Sequence, residues 1–132
     1  MTGNSCLLDT SVIIHSFKNP SVAKQLDSFS EIFVPSIAAG ELYFGAYRSS
    51  NPSKHLTQVN SFLQNCTIVV VSNETAILYG SIKADLLTKG KPIPENDIWI
   101  AAVAIEHQLP LFTTDNHFKE VDGISLVNET PS

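Results

Sequence analysis

Residues 6–14 read Cys-Leu-Leu-Asp-Thr-Ser-Val-Ile-Ile, an apolar stretch that stops at one carboxylate, Asp9, and passes at once into small hydroxyl residues. Leu7 and Leu8 are consecutive instead of alternating with polar residues, which suits a strand covered on both faces, as the central strands of parallel sheets are. A helical pattern starts at Ser11 or Val12. Thr10 or Ser11 is placed to cap it, because a short hydroxyl side chain accepts a bond from a free amide of the first turn. Asp9 therefore stands at the carboxyl end of a strand, where open α/β sheets gather their ligands. Alone, such an acid is as readily another helix cap, so the other acids of the chain decide its meaning.

Downstream, the chain alternates helical and strand patterns. Val22, Leu26 and Phe29 make residues 22–29 a short amphipathic helix, and 32–35 form a second strand closed by Pro35. Ser36 is a plausible cap for a helix over 37–48, followed by an amphipathic helix with Leu56, Val59, Phe62 and Leu63 on one side. Residues 67–71 are β-branched almost throughout and read as a third strand. Ser72 or Asn73 opens a helix that runs to about residue 89 and stops at Gly90. Asn96 is expected to cap an apolar helix over 97–107, which Pro110 prevents from continuing. Residues 111–113 give strand four, and 124–127 strand five after the Asp122-Gly123 turn; residues 129–132 have nothing apolar to bury and should fray. Strands separated by helices imply right-handed crossovers and a parallel sheet. The expected fold is a three-layer α/β/α domain on a five-stranded parallel sheet, one domain over all 132 residues.

Composition narrows the class. A chain with 43% hydrophobic and 16% charged residues is not wholly disordered. Its longest apolar run, 98–105, falls far short of the roughly 20 residues a bilayer span needs. The N-terminus has no charged-then-apolar signal pattern, so a soluble, cytoplasmic protein with no membrane association is expected. Cys6 and Cys66 then read as buried thiols in a reducing compartment, and the Asn-x-Thr sequons at Asn65, Asn73 and Asn128 as coincidence. A net charge of −5 argues against broad, non-specific binding of nucleic acid, which relies on many Lys and Arg contacts, but leaves room for a local site.

Four acids fall at element ends or on the inner side of an apolar helix: Asp9 after strand one, Glu41 after strand two, Asp97 at a helix start, and Asp115 just past strand four. Each has an ordinary explanation: a cap for Asp9, a solvent-facing helix edge for Glu41, a dipole-favoured helix start for Asp97, a turn-former for Asp115. Convergence of all four on one cleft is the more economical account. Glu41, among Ile37, Ala38, Ala39, Gly40 and Phe44, either faces a polar cavity or costs several kcal/mol to bury unpaired. Clustered carboxylates repel, and a fold keeps them together with a cation or shared protons. Mg2+ or Mn2+ suits such an oxygen-rich set with no nearby Cys, and suits phosphodiester hydrolysis. The histidines His15, His55, His107 and His117 lack ligand-like spacing and read as surface or packing residues, with His117, beside Asp115, a candidate for phosphate contact. Arg48, Lys83, Lys89 and Lys91 read as scattered surface charge, Trp99 and Tyr43 as packing residues.

Leu7-Leu8-Asp9-Thr10-Ser11, then Ala39-Gly40-Glu41-Leu42 with Gly45, then 94–102 with Asn96-Asp97-Ile98-Trp99, then Thr113-Thr114-Asp115-Asn116-His117-Phe118, together resemble the PIN-domain ribonucleases, specifically the VapC-type toxins of toxin–antitoxin pairs. The third motif is the most specific, and the resemblance covers nearly the whole chain. It implies a Mg2+- or Mn2+-dependent endoribonuclease acting on RNA, usually a homodimer, inhibited by a cognate antitoxin encoded beside it. On that likeness Asp9 and Asp97 are principal metal ligands, Asp115 a further ligand, Glu41 a water-positioning or proton-accepting acid, and Thr10 and Thr113 line the site. Glu95 is an extra acid. Rival readings are a housekeeping or DNA-cleaving PIN-like nuclease and a non-catalytic RNA-binding module; the full acid set argues against the last. A phosphoacceptor receiver domain would need a pair of acids after strand one, and a haloacid-dehalogenase-like phosphatase an acid at position 11, which is Ser.

Overall fold

The structure, a computed structural model, describes residues 4–127. The tail expected at 129–132 and the sequon at Asn128 lie outside these residues. The strands are β1 (Ser5–Leu8), β2 (Glu31–Pro35), β3 (Thr67–Val69) and β4 (Leu111–Phe112). The helices are α1 (Thr10–Lys18), α2 (Pro20–Asp27), α3 (Ser36–Arg48), α4 (Pro52–Leu63), α5 (Asn73–Thr88) and α6 (Glu95–Glu106), followed after β4 by a 3-10 turn at Asn116–Glu120.

All strands are parallel, in the order β3-β2-β1-β4. β1 is interior, with Cys6 opposite Ile32 of β2 and Leu8 opposite Phe112 of β4. Cys6, Leu7 and Leu8 are fully buried, as an apolar run without alternation requires. By the right-handed rule for parallel crossovers, the connections β1 to β2 and β2 to β3 are expected on one face and β3 to β4 on the other; α1 packs on α2, α3 on α4 and α5 on α6. The strand order reverses between β1 and β4, so their carboxyl ends border the crevice where such sheets bind ligands.

Among the described residues the sheet has four strands, not the expected five. Residues 124–127 do run beside β4: the Leu111 amide donates to Ser125 O at 2.8 Å and the Val127 amide to Leu111 O at 2.9 Å. Only the single parallel bridge Leu111 to Leu126 results. β4 is two residues long, because the chain turns away at Thr113, and it offers no longer edge to pair with. For a similar reason β3 stops at Val69, which pairs with Pro35 at the end of β2, leaving Val70 67% exposed.

Three helix caps also differ from expectation. Asp9 itself caps α1, its extended backbone (φ −80°, ψ 155°) ending β1 while Oδ1 accepts from Thr10 N. α3 and α6 start directly after Pro35 and Pro94, whose fixed φ turns the chain into the helix without a side-chain cap, so Ser36 and Asn96 lie inside the first turn. Ser72 caps α5 in a reciprocal capping box with Thr75, and Gly90 follows that helix at φ 70°, which a Cβ would strain.

α6 is apolar nearly all round. Ile98, Ile100, Ala101, Ala102, Val103 and Ala104 are all buried, their small side chains allowing close approach of neighbouring elements. Both cysteines are free, and burial pushes the Cys6 thiol up to about 12 and the Cys66 thiol up to about 11, so neither is a reactive thiolate. No helix of the described residues is long and apolar enough to cross a membrane.

Phe118 is fully buried and belongs to the 3-10 turn, which packs on α6. Its ring anchors the segment that carries Asp115 and His117. Phe118→Ala should cost about 3 to 5 kcal/mol in urea unfolding, the range for emptying a core aromatic site. A loss below about 1 kcal/mol would show that the turn is held by something other than this packing.

Candidate active site

Asp9 is 2% exposed at the end of β1. A carboxylate taken that far from water needs hydrogen bonds in compensation. Oδ1 accepts from the Thr10 amide at 2.8 Å, and Oδ2 accepts from Ser11 Oγ at 2.9 Å and Thr113 Oγ1 at 2.8 Å. Thr113 follows β4, so its hydroxyl spans the switch between the two strands. The same Thr113 oxygen accepts from the Asp115 amide at 3.0 Å, which fixes the start of the next turn.

Glu41, in the second turn of α3, reaches the same end of the sheet through Thr10, whose hydroxyl donates to Oε1 at 2.6 Å. Asn96 Nδ2 donates to its other oxygen at 3.3 Å. Hydrogen bonds from α1 and from α6 thus hold this acid from two sides. Asp97, in the first turn of α6, has a side chain only 13% exposed, and His117 Nδ1 lies 3.1 Å from its Oδ2. Ligating atoms of Asp97, Asp115 and His117 all lie within 4.8 Å of one another.

The fold therefore brings all four sequence-expected acids to one end of the sheet, with Thr10 and Thr113 bonded to two of them. They are not equivalent. Asp97 and Asp115 offer oxygens close to one another, whereas Asp9 has both oxygens engaged by Thr10, Ser11 and Thr113 and Glu41 is held by Thr10 and Asn96. Glu95 joins Lys83 at the surface instead, at 3.1 Å. Trp99 stacks on Tyr79 with ring centroids 3.9 Å apart, and Tyr43 donates to Asn60, so both pack as expected. Lys89 pairs with Asp85 and Asp122, and Arg48 lies over the Phe44 ring.

Sequence reasoning missed Ser11, Asn96 and His117 as partners of these acids. Ser11 and Asn96 look like caps, and only the tertiary fold shows which groups they face. For His117 a local signal existed: it follows Asp115 by two positions before the apolar Phe118, which a tight turn places on the same side.

The electrostatics follow from this crowding. Burial, then the charge of Asp115, raise the pKa of Asp9 above the usual carboxylate range against the pull of its hydrogen bonds. Burial first, and the Asp9 charge next, push Asp97 up to about 6. Two full charges within 4.8 Å repel by about 3 to 4 kcal/mol at an effective dielectric of roughly 20. No Lys or Arg of the described residues pairs with any of the four acids. An all-oxygen carboxylate set without a compensating side-chain cation fits a hard divalent ion, with Asp97 and Asp115 the best-placed donors.

The PIN domain family profile matches residues 6–124 of the chain. The chain is similar to Ribonuclease VapC2 of Haemophilus influenzae, 34% identical over 122 residues that span 89% of this chain and 90% of that protein. It is also 30% identical over 124 residues to the tRNA(fMet)-specific endonuclease VapC of Salmonella typhimurium, spanning 91% of this chain and 94% of that one. Its fold is similar to the crystal structure of VapBC2 from Rickettsia felis bound to a DNA fragment from their promoter, with TM-score 0.88 and 25% identity over 92% of this chain and 96% of that one.

The raised pKa of Asp97 makes stability depend on pH in a defined direction. Its folded-state value of about 6 lies above the ordinary 3.8, so its contribution is fully present below 3.8 and is lost as pH rises through about 6. In metal-free protein, Asp97→Asn should melt close to wild type at the acidic end of this window and increasingly above it toward neutral pH. The repulsion removed exceeds the helix-start charge lost, worth about 0.3 to 1 kcal/mol. A variant that melts below wild type at neutral pH, measured on chelator-stripped protein at one ionic strength, would mean the acids do not repel as a cluster.

Proposed function

The chain belongs to the PIN-domain family, and on that premise we propose that it is a divalent-metal-dependent endoribonuclease, the toxin of a VapBC-type pair. The observation that carries this reading is the convergence of Asp9, Glu41, Asp97 and Asp115 on the strand-order switch, with no Lys or Arg of the described residues paired with any of them. The relatives named as ribonucleases match over nearly their whole length, which supports an enzyme over a non-catalytic RNA-binding module.

In this reading Asp9, Asp97 and Asp115 are the acids that would hold Mg2+ or Mn2+, with Asp97 and Asp115 the best-placed donors and Asp9 tied to the Asp115 amide through Thr113. A divalent ion bound there supplies Lewis acidity toward a phosphodiester and makes a water easier to deprotonate. Glu41 would orient an attacking water and accept its proton. It is fit for the task because Thr10 and Asn96 fix the carboxylate while it stays apart from the closely packed aspartates. Thr10 and Thr113 line the site by bonding Glu41 and Asp9, so their removal should loosen catalytic groups without taking away a ligand.

The partners follow from the surface next to the site. A groove of about 420 Å³ between α1, α3 and α4 is lined by Ile14, Phe17, Leu42 and Val59, with Lys18 and Lys54 among its polar groups, and it borders Glu41. We assign it to a segment of the cognate antitoxin carrying apolar and acidic side chains. A second copy of this chain would cover Phe44 and Tyr47 of α3, which stand 65% and 66% exposed.

Purified chain, freed of partner protein, should cleave RNA with Mg2+ or Mn2+ and stop in chelator. Asp97→Asn should remove most of this activity with the fold intact by circular dichroism; undiminished cleavage would falsify the assigned site. Expression of the wild type alone should arrest growth, and co-expression of the adjacent small gene should relieve it. Normal growth in the presence of soluble, active enzyme would favour a processing nuclease.

A further inference from the structure

We propose that His117 completes the cation site as a nitrogen donor and so sets its preference for Mn2+ over Mg2+, an inference that rests on Asp97 and Asp115 being ligands. A ring nitrogen of His117 and one oxygen from each of those acids already lie within 4.8 Å of one another, and Nδ1 is 3.1 Å from Asp97 Oδ2. Adjacent donors on an octahedral ion with bonds near 2.1 Å are themselves about 3 Å apart. A hydrogen bond and a shared coordination edge thus have the same length. A ring nitrogen 3.1 Å from Asp97 Oδ2 therefore also stands at the separation of a neighbouring vertex.

The ring is not carried on a free loop. It sits in the turn at Asn116–Glu120, and the next residue, Phe118, is fully buried. Its side chain is 51% exposed, whereas that of Asp97 is 13% exposed and Asp9 is 2% exposed. The chemistry of the donor then decides the metal. Mg2+ takes oxygen ligands and gains little from imidazole, whereas Mn2+ and the later divalent ions accept nitrogen, so replacing one oxygen by a ring nitrogen shifts the balance toward Mn2+. His15, His55 and His107 lie on other elements, α1, α4 and the end of α6, and take no part in this cluster.

The test uses the intact chain stripped of metal and reloaded with Mn2+, read by pulsed electron paramagnetic resonance and by metal titration. Wild type should show modulation from a directly bound imidazole nitrogen, and His117→Gln should lose it. Gln can still donate to Asp97, so a role limited to holding that acid would survive the change. The variant should bind Mn2+ about tenfold or more weakly and Mg2+ nearly as well as wild type. Bound Mn2+ without nitrogen modulation, modulation that persists in His117→Gln, or unchanged Mn2+ affinity in that variant would each overturn the assignment while leaving the acid site standing. Failure of wild type to bind Mn2+, or binding by Asp97→Asn as tight as wild type, would overturn both.

Discussion

The arrangement at the carboxyl end of the sheet depends on one carboxylate taken out of water. Asp9 ends the central strand and starts α1, and its burial is tolerable only because an amide and two hydroxyls meet its oxygens. Those donors come from both sides of the strand-order switch: Thr10 and Ser11 from α1, Thr113 from the end of β4. The network continues without a gap, since Thr113 accepts from the Asp115 amide and Thr10 donates to Glu41. A group that looks like a helix cap is thus tied to two other acids, Glu41 and Asp115. No buried side-chain nitrogen or oxygen of the described residues lacks a partner, which is what a rigid polar site needs.

The same network leaves charge uncompensated. Lys83 and Lys89 pair with surface acids, and His117 is the basic side chain that faces the cluster. A chain of net charge −5 with its acids gathered in one crevice repels a polyanion there until a cation is present. On the proposed function, cation binding and phosphate binding would be coupled by electrostatics. The cost falls on the stability of the metal-free fold, a common arrangement where function needs strain.

Much of this was legible in the sequence because apolar patterning and element ends are local signals. The unalternated Leu7-Leu8 gave a buried parallel strand, and the positions of Asp9, Glu41, Asp97 and Asp115 at element ends or on the inner side of an apolar helix pointed to one cleft. Length of pairing was not legible. Residues 124–127 and Val70-Val71 have strand-like side chains, yet the partner edges end at Phe112 and Pro35, and those ends are set by other segments. The caps failed for a different reason. Ser36 and Asn96 carry good capping groups, but Pro35 and Pro94 begin the helices one or two residues sooner, and Asn96 is released to bond Glu41 across the crevice. Side chains whose partners lie 55 or 104 residues away, as for Asn96 with Glu41 and Thr113 with Asp9, leave no trace in local pattern.

Glu41 stands where chemistry and partner binding meet. Its hydrogen bonds come from α1 and α6, while its own helix, α3, also forms a wall of the groove shared with α1 and α4. Asp9, Asp97 and Asp115 are fixed by the sheet ends, the start of α6 and the 3-10 turn, none of which lines that groove. A chain seated in the groove would bear on α1 and α3 and shift Glu41, leaving Asp9, Asp97 and Asp115 in place. On the proposed roles, separating the proton acceptor from the acids that would hold the ion would let a partner act on the reaction without stripping the ion, and the topology that puts α3 beside α1 is what makes the separation possible.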